Sequence, residues 1–217
     1  MANFQTRIED IIGATVSLGS DDSSANQQAI QDALQDTADE IINQLPIDIL
    51  MQYATKSSNI TSNPVVSNLE NSRVLNVERR DDDSLYVPCG YITPELSGKI
   101  QNRNSIFYPS AESPNWTWND NDVYVYPEPS ASAPVRYYTM ETPTIQYNDS
   151  SVTKFPNDLE SALVLGACVR LKQRQVTFFN EEEDPEIVQL HKSQYQDLKI
   201  MYAEALAPYI PVPAQGA

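Results

Sequence analysis

The stretch Leu159–Val169, LESALVLGACV, sets the tightest constraint on this 217-residue chain. Wound into a helix, it is apolar nearly all round, so it has no face suited to water and must be covered from several sides, by its own chain or by other subunits. Gly166 within it marks a close approach of another helix. Phe155-Pro156-Asn157 precedes the run, and the polar LKQRQ of residues 171–175 follows it. An acidic turn, FFNEEEDP, comes next; Asp184 suits an N-cap and Pro185 the first helical position. Ile187, His191, Tyr195, Leu198, Tyr202 and Leu206 then form one stripe of an amphipathic helix. The turn is short, so the two helices pair as an antiparallel hairpin.

The N-terminal part is also helical in pattern. Phe4, Ile8, Ile11, Ile12 and Val16 step by three and four within Phe4–Gly19, with Gly13 and Gly19 weakening the end. After a polar link, Ser24 and Gln27 have capping-box spacing, and Ile30, Leu34, Ala38, Ile41, Ile42 and Leu45 make a second stripe. Pro46 interrupts it, and Ile47, Leu50, Met51 and Ala54 predict a kink or a further short helix. Residues 56–68 read as a polar linker. From 72 to 148 the texture is β, with expected strands Arg73–Glu78, Leu85–Val87, Ser105–Tyr108, Val123–Tyr126 and Val135–Thr139 between turn-rich segments. VYVYP places large residues on both faces, so both are covered or one meets a neighbour. The last eleven residues, APYIPVPAQGA, hold three prolines and cannot continue a helix; they form a free tail or an arm docked into a partner. The expected fold class is α+β: a helical bundle built from N-terminal helices and a C-terminal antiparallel hairpin, with a central β-rich insertion and an extended C-terminal arm. The expected segments are 1–68, 69–150, 151–207 and 208–217.

Charge and residue counts exclude several functions. The net charge is −16, and each third is acidic: 2 basic against 9 acidic residues in 1–60, 6 against 12 in 61–150, 6 against 9 in 151–217. Phosphate binding needs clustered cations, which no third supplies. The densest basic group, Arg170, Lys172 and Arg174, is expected near a helix C-terminus, where the helix dipole favours it. Cys89 and Cys168 lack metal-ligand or disulfide-framework spacing. MANFQTRIED is not a secretory leader, and no run reaches the ~18 apolar residues of a membrane span, so synthesis and use in a cytoplasm are expected, with no membrane partner. A lone His191 on a helical stripe rules out a histidine metal cluster, and there is no GxSxG, P-loop or GxGxxG. The runs Asp81–Asp83 and Glu181–Asp184 read as a hairpin tip and a helix N-terminus, not as a tuned catalytic pair. Asp120 and Asp122 resemble part of a Ca2+ loop but lack the following glycine and distal glutamate. No catalytic residue, metal or cofactor is expected. Trp116, Trp118, Tyr124 and Tyr126 are the densest aromatic group, read as a β core or a protein interface.

The order of parts resembles the head-to-tail connector proteins of tailed phages, the adaptors beneath the portal. The residues that carry the resemblance are Phe155-Pro156, Leu159–Arg174, Glu181–Asp184 and Ile187–Leu206, with SIFYPSAESPNWTWNDNDVYVYPEP as the insertion. The resemblance implies a structural virion protein at the head–tail junction: a ring, commonly of twelve copies, through which double-stranded DNA passes without specific binding. It implies portal docking by the arm, at Tyr209, Ile210, Pro211, Val212 and Pro213. It implies packing between subunits through Leu159, Leu163, Gly166, Val169, Tyr195, Leu198 and Tyr202. The insertion, with Trp116, Trp118, Tyr124 and Tyr126, would face the next neck or tail protein. The acidic balance then has two readings, simple solubility or a lumen that repels the DNA backbone. Rival expectations are another tail or baseplate component, a glycan-contacting tail module using the Trp/Tyr region, and a wall hydrolase.

Overall fold

A computed structural model of the chain describes residues 2–13, 23–67, 72–81, 83–179 and 185–210. Among these residues it forms six α-helices: α1 (Phe4–Ile12), α2 (Ser23–Gln44), α3 (Ile47–Leu50), α4 (Ser97–Gln101), α5 (Glu160–Phe179) and α6 (Pro185–Leu206). The strands are β1 (Thr55–Lys56), β2 (Ser72–Arg80), β3 (Tyr86–Pro88), β4 (Gly90–Tyr91), β5 (Asn115–Asn119), β6 (Asp122–Tyr126) and β7 (Val135–Glu141). The class is mixed α+β, with one sheet of four strands and one of three. The chain divides into a helical unit, Met1–Ile49 with Thr142–Ala217, and a β unit, Leu50–Glu141.

In the helical unit, α5 is the centre, and α1, α2 and α6 all pack on it. Ala162, Leu163, Val164, Ala167, Cys168 and Leu171 are all buried. The apolar run is therefore covered within one chain. Gly166 explains how. A Cβ placed there would collide with Thr37 Cγ2 of α2 and come within 2.9 Å of the Tyr202 ring of α6. Only a residue without a side chain lets both helices reach α5 at this level.

Local chemistry sets the ends. The Asn3 side chain accepts the Thr6 N–H at 2.9 Å and caps α1. The expected helix over Phe4–Gly19 stops at Ile12, because Gly13 turns left-handed, at φ +77°, and gives its N–H to Glu9 O. Residues 14–22 lie outside the described set. α2 already includes Ser24, so that residue is helical and not the cap. Gln35 of α2 holds the returning chain twice, donating to Pro143 O at 3.1 Å and accepting the Ile145 N–H at 3.3 Å. Beyond Pro46 the spacing yields only the single-turn α3.

In the β unit the four-stranded sheet has order β1-β7-β2-β3 and the three-stranded sheet β4-β5-β6. Val65, Val66, Val77, Cys89, Val123, Val125 and Val135 form their shared core. Three expectations need correction here. The expected polar linker is tied down along its described part, 56–67. Ile60 exchanges two backbone bonds with Val135, and the Asn63 amide bonds both N–H and C=O of Val125, at 3.0 and 2.9 Å. A side-chain amide thus replaces a strand pair. Ser105–Tyr108 is no strand: Asn102 O takes the Ser105 N–H, and Ser105 Oγ takes the Phe107 N–H at 3.1 Å, so local bonds outcompete a ladder. Conversely, Asn115–Asn119 lies in a segment read as turn yet forms β5, paired residue for residue with β6. Its two-residue turn, Asp120-Asn121, has φ of +50° and +65°, the geometry that matches hairpin twist.

Three substitutions test this packing. Gly166→Ala should destabilise the chain by about 1–3 kcal/mol through overpacking. Gly98→Ala in α4, where a Cβ meets nothing within 4 Å, should leave stability unchanged or raise it by up to ~1 kcal/mol. Asn63→Ala should cost about 1–3 kcal/mol by stranding the Val125 backbone groups. Urea-unfolding midpoints at constant slope check all three.

Candidate interaction surfaces

Strand alternation divides the expected aromatic group. Trp116 and Trp118 of β5 stand opposite Val125 and Val123 of β6 and pack with them on the valine core. Thr117 stands opposite Tyr124, and Asn115 opposite Tyr126, on the other face. Thr117 is fully buried and Tyr126 nearly so, so that face is covered as well. Burial, and then Glu128, push the Tyr126 phenol above its ordinary pKa. The partner of the tryptophans that sequence reading missed is Tyr91 of β4, whose ring lies 4.8 Å from Trp116; Trp116 and Trp118 are 5.9 Å apart, edge to face. Tyr91 is half-exposed and forms the open end of this row. Only the parallel register of β4 on β5, Gly90↔Asn115 and Tyr91↔Trp116, brings it there.

The most exposed apolar side chains of the β unit lie elsewhere. Ile106 is 93% exposed and Phe107 56%, at the tip of the turn that replaced the expected strand. The Lys99 ammonium sits 5.4 Å from the Phe107 ring centroid, and Leu96 is also exposed. Leu85 projects from the β2–β3 hairpin, where Asp81 closes the turn by accepting the Leu85 N–H at 2.8 Å. Asp81 and Asp83 thus occupy a hairpin tip, as their clustering predicted; Asp82 lies outside the described residues.

In the helical unit, Leu159 and Leu163 are fully buried among the chain's own helices, Leu198 nearly so, and Val169, Tyr195 and Tyr202 are half-buried. Residues of α6 that remain open are Leu190, 57% exposed, Ile200, 58%, and Met201, with Ile11 of α1. The basic group of α5 is not at the helix end, because α5 runs on to Phe179 and its last turn holds no cation. Arg170 instead reaches α2. It pairs with Glu40 at 2.7 Å and Asp36 at 3.8 Å, and donates to Thr37 Oγ1 at 3.2 Å. Burial, and then the Glu40 charge, push the neighbouring Tyr202 phenol up. Tyr209 and Ile210, expected within the arm, donate their N–H groups to Leu206 O at 2.9 and 3.2 Å and close the end of α6. Pro211, Val212 and Pro213 lie outside the described residues, as do Glu181–Asp184.

His191 is half-buried on α6. Among the described residues no three His, Cys, Asp or Glu side chains converge as metal ligands, and no helix is long and apolar enough to cross a membrane. Cys89 and Cys168 are free and buried, and burial pushes both thiols up to about 12. Neither should react with a disulfide reagent such as DTNB at pH 8, while both should react once the chain is unfolded in urea; absorbance at the liberated thiolate counts them.

Residues 2–210 match the family model described as SU10 adaptor protein. Among curated proteins, none matches the chain.

Proposed function

Because the chain belongs to the SU10 adaptor protein family, whose members are phage structural adaptors, we propose that it forms a ring at the head–tail junction, seated on the portal and open to passing DNA. As a phage structural adaptor it is a virion component that interacts with other head or tail proteins. The finer reading assigns it a homo-oligomeric ring, of twelve copies by family resemblance, and a joining role that is geometric rather than enzymatic.

The observation that carries this reading is that each unit leaves large apolar side chains in solvent: Leu190, Ile200 and Met201 in one, Tyr91, Leu96, Ile106 and Phe107 in the other. Such residues are what a protein interface covers. In this proposal α6 supplies contacts between copies. The arm from Tyr209 through Pro213 docks on the portal. The β unit meets the next neck or tail protein through its Ile106–Phe107 tip and Tyr91, with Trp116 and Trp118 holding Tyr91 in place. The net charge of −16 disfavours any grip on the DNA backbone and leaves it free to slide. The inward turn of Trp116 and Trp118 weakens the glycan-contacting alternative, which needs open ring faces.

Coexpression with the portal of the same phage tests the ring. Negative-stain electron microscopy should show rings on the portal, and a chain still monomeric beside the portal would overturn the reading. Removing residues 208–217 should abolish copurification with the portal while the circular dichroism spectrum stays native. In infected cells, Ile106→Ser with Phe107→Ser should leave the melting temperature within about 2 °C, since exposed substitutions are nearly neutral. It should also produce filled heads without tails.

A further inference from the structure

Two cations are buried among the described residues, Arg79 and Lys172. Arg79 is satisfied, donating from Nε to Pro127 O at 3.1 Å. The other cations that pair in the helical unit meet carboxylates, Arg7 with Glu160 and Arg170 with Asp36 and Glu40. Lys172, only 3% exposed, has no carboxylate within 4.0 Å among the described residues. Burial alone accounts for its lowered pKa; no neighbouring charge contributes. An ammonium held this way is partly desolvated, with no counter-ion among the described residues to offset the cost.

Lys172 does not face a closed core. It lines a groove of about 170 Å³ where α1, α5 and α6 meet, with Ile11, Ile12, Asp197, Leu198 and Met201 among its walls. Ile11 and Met201 stand half out of it and make the apolar part of its rim, beside Gln194 and the exposed Asp197. The groove has room for one side chain, with a cation inside and apolar atoms at the mouth. The matching chemistry is an Asp or Glu on an otherwise apolar surface.

We infer that this groove receives a carboxylate side chain from a second copy of the chain, which pairs with Lys172 when copies assemble. The inference rests on the ring reading above. Charge complementarity selects the occupant: the chain carries 30 acidic residues against 14 basic, so a neighbouring copy has carboxylates in excess to offer. Copies this acidic repel one another, and one desolvated pair at each contact offsets that repulsion and fixes register. A DNA phosphate suits the groove less well, since Ile11 and Met201 at its rim favour an apolar surround that the DNA backbone lacks.

The test uses full-length chain, half of it 15N-labelled, assembled into rings and treated with a zero-length carbodiimide cross-linker. A peptide containing Lys172 should appear joined to an Asp or Glu peptide of the opposite label. Joining only to the same label, or to the portal, or no joining at all, would overturn the proposal. Independently, Lys172→Met should raise the melting temperature of the dissociated chain and weaken self-association at least tenfold in sedimentation velocity. Lys172→Met rings as stable as wild type sink the groove proposal alone. A wild-type chain that never self-associates sinks the ring reading with it.

Discussion

The helical unit is organised by the need to cover α5 on every side. A run of Ala, Leu, Val and Cys around a full circumference gains about 1.5–3 kcal/mol for each large side chain removed from water. That gain is realised only if several helices reach the same short stretch. Three do, from both ends of the chain: α1, α2 and α6. The crossing is narrow enough that Gly166 meets side chains from two of them. Arg170, one turn on, links to the α2 carboxylates at the edge of the same seam. Apolar cover, a missing side chain and an edge ion pair thus act on adjacent turns of one helix.

The β unit meets a different difficulty. Its strands are short, and two of them contribute only two residues each. Cohesion comes from a valine core shared by both sheets and from polar residues standing in for backbone partners. Asn63 pairs with Val125 as a strand residue would, and the Ser57 hydroxyl accepts the Tyr137 N–H at 2.9 Å. A segment that looks like a linker by composition is structural by hydrogen bonding.

What could be read from the sequence follows from this contrast. Helical stripes report burial directly, so α2, α5 and α6 were legible in outline, and so was the close contact at Gly166. The Phe-Pro entrance to α5, the acidic link and the final stripe were enough to mark the resemblance to tail adaptors. The β unit was legible only where alternation and turn chemistry agreed, as in β2, β6 and β7. β5 was hidden because Asn-Trp-Thr-Trp-Asn alternates two half-buried tryptophans with residues typical of turns. The Ser105–Tyr108 segment misled in the opposite way, since its Ile and Phe suggest a strand while Asn102 and Ser105 bind the backbone locally. Tyr91 joined the aromatic row through a parallel pairing that no local pattern announces. The position of Lys172 was equally hidden, because a lysine's surroundings depend on helices distant in sequence.

The ladder between β1 and β7 has a consequence for the segment it closes. Thr55 lies directly across from Thr139, near the two points where the chain leaves and rejoins the helical unit. Cross-strand partners are about 4.5–5.5 Å apart, a span that a tight hairpin turn bridges. The intervening 83 residues therefore begin and end at a single doorway. An excursion of any other length that keeps this pair would leave and re-enter the sheet at the same place.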